Sequence, residues 1–190
     1  MRLLRIESSG GGNYLKHYEL VYENRAGKEK HFEIVSHREH LNEENLGEAV
    51  SGVSVVAFCG GKLLLLREFR MGVNRYVYNL CAGMLEAGEG IEECVRREMY
   101  EETGLRVTKI HEILPPCYAA VTLSDIRNCI VYAEVEGTIG EHASANEEIK
   151  AGLYSREEVA ELIREQDFTA RAQVVAHDFV YFGSFSGKFT

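Results

Sequence analysis

Residues 83–105 read GMLEAGEGIEECVRREMYEETGL, and no other stretch of the 190-residue chain restricts the fold as tightly. Gly83, Gly88 and Gly90 let the backbone turn where a side chain would obstruct it. Beyond them, Ile91, Cys94, Val95 and Met99 recur at helical spacing, which predicts a helix over Ile91–Thr103 with one buried face. Gly104 supplies the residue that ends it. The same helix carries Glu98, Glu101 and Glu102, three and four residues apart, so their carboxylates share one surface. Like charges at that spacing weaken a helix standing alone. The cluster reads either as a solvated face or as a place for a hard divalent cation among oxygens. Mg2+ suits the second reading, because it takes one or two protein carboxylates and fills its shell with water and substrate phosphate.

The pattern around this helix is strand-rich. Residues 14–24 and 30–36 are aromatic and β-branched and flank Arg25-Ala26-Gly27, which predicts a β-hairpin. A polar stretch over residues 37–48 then closes off an N-terminal β module, residues 1–48, from a main domain, residues 49–190. Residues 53–58, a Cys-Gly-Gly turn and residues 63–69 form a second hairpin, apolar enough to be buried on both faces. Further strands are expected at 76–80, 107–114, 128–135 and Ile149–Tyr154, with Pro115-Pro116 opening the loop between the second and third of these. Ser155 and Glu158 make a capping box for a helix through Glu165, and residues 170–182 make a last helix. Strands, helix, strands and helices indicate an α/β fold in which helices flank a mixed sheet, with a small antiparallel module in front. Residues 1–13, with Ser-Ser-Gly-Gly-Gly, read as a flexible start without the apolar core of a signal peptide.

Charge narrows the partners. With 30 acidic and 21 basic residues the formal net charge is −9, a field that repels nucleic-acid backbones and anionic membrane surfaces. A chain of this charge that handles phosphate must recruit cations. Five cysteines, an odd number without Cys-x-x-Cys, read as reduced thiols in the cytoplasm, and the seven histidines form no ligand pair on a predicted helix. No apolar run approaches the about 20 residues that cross a bilayer.

Taken whole, the 83–105 string resembles the signature of the Nudix hydrolase family. Its fixed positions are filled by Gly83, Glu89, Arg97, Glu98, Met99, Glu101, Glu102, Gly104 and Leu105. At average residue frequencies such a match arises by chance with a probability on the order of one in a million. The resemblance implies an α/β/α sandwich and hydrolysis of a nucleoside diphosphate linked to another group. It implies Mg2+, with Mn2+ as a substitute, which would neutralise the diphosphate and lower the pKa of a bound water. Glu98 and Glu102 are then the main metal ligands, Glu101 a supporting ligand or alternative base, and the carbonyl of Ala82 a backbone ligand. Glu89 and Arg97 would fix the loop against the helix.

Outside that string, Leu66-Arg67-Glu68-Phe69-Arg70 and Asn79-Leu80-Cys81-Ala82-Gly83 resemble the ADP-ribose and GDP-mannose pyrophosphatase branch. In that branch Arg70 would contact substrate phosphate, as a guanidinium suits bidentate recognition; the alternative is a strand-end ion-pair cluster of Arg67, Glu68 and Arg70. The branch also implies a homodimer in which the N-terminal module helps complete the partner's site. The chain departs from it at Asn79, commonly Glu, and at Cys81, commonly Pro. Pro115 and Pro116 come too early for the proline that ADP-ribose enzymes carry past the box, where Val121 lies nearby. Ser124-Asp125-Ile126-Arg127 keeps one of two acidic positions, which makes Asp125 the substrate-binding candidate together with Arg70 and Asn79. Glu147 is the candidate base, with Glu148 second. Tyr14, Tyr18, Tyr22 and Phe32 either pack across the first hairpin or stack on a base. The expected activity is Mg2+-dependent cleavage of a nucleoside diphosphate sugar such as ADP-ribose to a nucleoside monophosphate and a sugar phosphate. The alternatives are a sensor that holds an ADP-ribose-like ligand without cleaving it, and a dinucleoside polyphosphate or coenzyme A hydrolase.

Overall fold

Leu63, Leu64, Leu65 and Leu66 are all fully buried, and successive residues of a strand point to opposite faces, so this strand needs cover on both sides. In the computed structural model, which describes residues 1–140 and 148–183, helices supply that cover. The elements are β1 (Arg2–Gly11), β2 (Lys16–Glu23), β3 (Glu29–Ser36), β4 (Val50–Cys59), β5 (Lys62–Arg70), β6 (Arg75–Asn79), β7 (Cys81–Met84), α1 (Ile91–Thr103), β8 (Arg106–Ile113), β9 (Cys117–Tyr118), β10 (Arg127–Glu136), β11 (Ile149–Tyr154), α2 (Arg156–Glu165) and α3 (Ala170–Tyr181). They form two compact units: Gly52–Pro115 with the chain from Cys129 on, and Met1–Ser51 with Pro116–Asn128.

The larger unit is built on a mixed sheet in the order β11-β5-β4-β10-β8, with β6 beside β5 and β7 beside β4. Leu63 and Leu65 of β5 join Val56, Tyr78 and Leu80 under Val159 of α2 and Ala172, Val175, Ala176 and Phe179 of α3. Leu64 and Leu66 face the other way, toward the side where α1 packs on β7, β8 and β11. The expected α/β/α layering is therefore present. Burying leucine-sized side chains at about 25 cal/mol per Å2 makes this double-faced strand, with the equally buried β4, a large apolar contribution to the fold. No helix among the described residues is long and apolar enough to cross a membrane, and the five cysteines are free thiols.

The smaller unit contains a three-stranded antiparallel sheet, β1-β2-β3. Tyr18, Leu20, Ile34 and Leu41 form its core, with Leu3, Ile6, Tyr22 and Leu46 packed on them. The Tyr18 hydroxyl lies 2.9 Å from the Arg38 carbonyl and 2.8 Å from that of Glu39, so this ring is a packing element. Residues 1–13, expected to be a flexible start, instead supply β1, paired with Ile6 opposite Leu20. Register shifts between Leu3 and Arg5 and between Ser8 and Gly10 break the two-residue period, which is why alternation failed to announce the strand. β9 pairs with the first residues of β10 and also escaped the sequence reading, being two residues long.

The helices follow their local signals. Gly104 ends α1 in the left-handed region, φ 76°, with its N–H donating to the Tyr100 carbonyl. At α2 the Ser155 hydroxyl accepts from the Glu158 N–H at 3.3 Å, and the Glu158 carboxylate accepts from the Ser155 N–H at 2.7 Å. Replacing Ser155 by Ala removes half of this box and is expected to cost about 1 kcal/mol. Urea unfolding should show a lower midpoint with an unchanged slope.

Candidate active site

The strand β7 runs directly into the glycine loop and then α1, so backbone and helix surface meet at one place. Gly83 shows how closely. A side chain there would occupy the position of the Glu98 carboxylate, and one at Gly52, opposite Met84 on β4, would overlap the Gly83 carbonyl. Glycine is required at both positions by close approach rather than by an unusual backbone angle. The helix itself buries Cys94, Val95, Met99 and Thr103, which leaves Glu101 exposed and Glu98 and Glu102 half-buried at the edge of the core.

Arg97 organises that side. Its Nε donates to Glu89 Oε1 at 2.7 Å and its Nη2 to Glu89 Oε2 at 2.9 Å, a bidentate pair. Nη2 also donates to the Met84 carbonyl at 2.9 Å. Nη1 reaches Glu98 at 2.8 Å and Glu101 at 3.2 Å. One guanidinium thus ties the loop to the helix while touching two of the three clustered carboxylates. The Arg97 hydrogen bonds, helped by the Glu86 N–H, hold Glu89 down at about 2.

Glu102 sits deeper. The Ala82 N–H donates to its Oε2 at 3.3 Å, and the buried Cys81 thiol is an electrostatic neighbour of the same carboxyl. Burial pushes Glu102 up to about 8, and the neighbouring charges of Glu98 and Glu68 add to the effect. A divalent cation among these oxygens would remove the repulsion. Among the described residues, no group of three or more His, Cys, Asp or Glu side chains is arranged to hold a metal ion by itself. Two carboxylates in electrostatic reach of each other, Glu98 and Glu102, suit an ion that takes one or two protein oxygens and completes its shell with water and phosphate, as Mg2+ does.

A second polar chain lies at the end of β5 and β6. Thr169 Oγ1 donates to Asn79 Oδ1 at 2.7 Å, and Asn79 Nδ2 donates to Glu68 Oε1 at 2.7 Å. Arg70 Nη1 lies 3.6 Å from the same Glu68 oxygen. Glu68 is only 6% exposed, a buried carboxylate that links Arg70 and Asn79 electrostatically to Glu102. The sequence reading gave Glu68 no role beyond an ion-pair cluster. The signal available was a charge inside a strand of buried leucines, which needs a partner.

The remaining candidates have partners of their own. Asp125 Oδ2 accepts from the Gly47 N–H at 3.3 Å in the smaller unit, where Arg127 donates to the Gly47 and Pro116 carbonyls. Glu148 accepts the Tyr76 phenol, over whose ring the Arg67 guanidinium lies at 4.0 Å. That bond raises the Tyr76 pKa above the usual tyrosine value. Glu147 lies outside the described residues.

The depressed pKa of Glu89 gives a prediction with a definite sign. Its folded value lies below the unfolded one, so the stabilisation is complete above about pH 5 and is lost as pH falls toward about 2. The stability difference between the native chain and Glu89→Gln should be largest at neutral pH and shrink across that interval, as followed by urea unfolding at stepped pH.

Comparison with known proteins identifies the family and the fold. A family model of the NUDIX domain matches residues 49–177, more than half of the chain. A Caenorhabditis elegans protein that carries the nudix hydrolase name is 30% identical over 131 residues, covering 67% of this chain and 57% of that protein. An ADP-ribose pyrophosphatase of Escherichia coli strain K12 is 33% identical over 105 residues, 53% of this chain and 50% of that enzyme. The chain thus spans about half the length of the curated relatives it matches. A crystal structure of an ADP compounds hydrolase superposes with a TM-score of 0.76 over 98% of this chain and 97% of its own, at 18% identity, a likeness of fold. With the domain match enclosing the whole of residues 83–105, the chain belongs to the Nudix family.

Proposed function

We propose that this chain hydrolyses the diphosphate of a nucleoside diphosphate sugar of the ADP-ribose type, releasing a nucleoside monophosphate and a sugar phosphate. The observation that carries the reading is that Glu68 and Glu98 each lie in electrostatic reach of Glu102, with the Arg70 guanidinium 3.6 Å from Glu68. Buried carboxylates that repel one another make sense beside a resident cation. The ADP-ribose pyrophosphatase relative supports the choice of substrate class.

In this reading Glu98, Glu102 and the Ala82 carbonyl hold Mg2+, Glu101 supports them, and Mn2+ can replace the ion. When bound, the cation neutralises diphosphate charge and makes water a better nucleophile. The chain's own residues do the rest. Arg97 and Glu89 keep the ligand-bearing helix and the loop in register. Arg70 takes a phosphate oxygen, Asn79 orients it through Glu68, and Asp125 contributes to substrate binding. Water attacks phosphorus, the anhydride P–O bond breaks, and a carboxylate accepts the proton. We assign that acceptor first to Glu147, then to Glu148, with Glu101 as the alternative within the helix.

The same proposal takes residues 1–48 as a dimerisation module and residues 49–190 as the catalytic domain of a cytoplasmic homodimer. A sensor without turnover is the weaker reading, because Glu89, Arg97, Glu98, Glu101 and Glu102 are all retained, with Arg97 bonded to Glu89, Glu98 and Glu101.

The test is a product screen with Mg2+ over ADP-ribose, GDP-mannose, UDP-glucose and dinucleoside polyphosphates. ADP-ribose is expected to give AMP and ribose phosphate; equal slow release from every compound would refute the substrate class. Glu98→Gln and Glu102→Gln should each lower kcat by about 10³-fold, about 4 kcal/mol of transition-state stabilisation, with thermal unfolding little changed. Full activity in either variant would refute the metal assignment. Arg97→Gln should weaken cation affinity by about 10–100-fold, read by calorimetric titration.

A further inference from the structure

At the end of the β5–β6 hairpin, Arg70 stands directly opposite Arg75 in the antiparallel register. Side chains so placed share a face about 5 Å apart, and like charges there are destabilising. Each guanidinium has its own acidic neighbour: Arg70 lies 3.6 Å from Glu68, and Arg75 donates to Asp167 at 3.2 Å. These neighbours come from different directions, Glu68 from within β5 and Asp167 from the segment that runs beside β6, where the Tyr78 N–H donates to the Asp167 carbonyl.

The face they share is informative. Glu68 precedes Arg70 by two residues and Asn79 follows Arg75 by four, so all four lie on one side of the hairpin. That side holds Glu68, which is in electrostatic reach of Glu102 on α1. Arg67 and Tyr76 point to the opposite side, with the Arg67 guanidinium over the Tyr76 ring. In a chain of net charge −9, two arginines thus stand side by side on the face that carries the carboxylates.

We propose that Arg75 is a second phosphate-binding residue, which with Arg70 clamps the two phosphoryl groups of the substrate. The proposal rests on the substrate class stated above. The Arg75–Asp167 pair is open to solvent, with side chains 64% and 59% exposed, so it contributes little and exchanges readily for a bidentate bond to phosphate. A diphosphate bridging Arg70 and Arg75 relieves the repulsion that the register imposes.

The experiment measures equilibrium binding of α,β-methylene-ADP, which cannot be cleaved at that bridge, and of AMP to the intact chain with Mg2+ present. The native chain should prefer the diphosphate. Arg75→Gln should cut that preference by about 10-fold, the worth of a hydrogen bond to a charged group. KM for ADP-ribose should rise by a similar factor with kcat little changed, and Arg75→Lys should restore part of the loss. Asp167→Asn, which frees Arg75, should keep the preference or increase it. An unchanged preference in Arg75→Gln would overturn the proposal, as would an Asp167→Asn variant that reproduces its loss. A native chain that prefers the diphosphate through Arg75 yet cleaves no nucleotide would support the clamp and refute the hydrolase reading.

Discussion

The bidentate bond between Arg97 and Glu89 is the constraint on which the rest of the site depends. Without it the glycine loop has no fixed relation to α1, and three carboxylates share a helix surface with less to offset their repulsion. A planar guanidinium loses little freedom in forming two parallel bonds and can still present its remaining N–H groups to Glu98 and Glu101. Gly83 completes the arrangement from the other side, since its missing side chain leaves room for the Glu98 carboxylate against the strand.

Behind this scaffold the site gathers acidic groups that a protein interior does not readily keep ionised. Glu68 and Glu102 are withdrawn from water, and Glu102 is driven to about 8 by burial and by its neighbours. Structures keep such groups where charge of the opposite sign is supplied by a ligand. The net charge of −9 therefore has a local meaning at this site that a bulk figure does not carry. Cys81 lies at the same place, a buried thiol whose pKa is raised by burial and by the neighbouring Glu102 carboxyl.

Much of this was legible in the sequence because the informative features are local. The apolar spacing of Ile91, Cys94, Val95 and Met99 and the stop at Gly104 define α1 to the residue, and Ser155 with Glu158 defines the start of α2. The box positions identify Arg97 and its carboxylates because a helix fixes which residues share a surface. What escaped depends on tertiary pairing. β1 was hidden by two register shifts, and β7 by glycine and small residues that give no strand signal. Glu68 reads as an ordinary charge until β6 brings Asn79 beside it, and Arg75 acquires meaning only when the hairpin register sets it against Arg70.

The central claim is that the Glu98 and Glu102 surface of α1 is a cation site. Titration of the metal-free chain with Mn2+, followed by loss of the free-ion electron paramagnetic resonance signal, tests it without recourse to any substrate. Saturable binding in the native chain that Glu102→Gln abolishes is the result expected. Binding of equal affinity and stoichiometry in both proteins would contradict it.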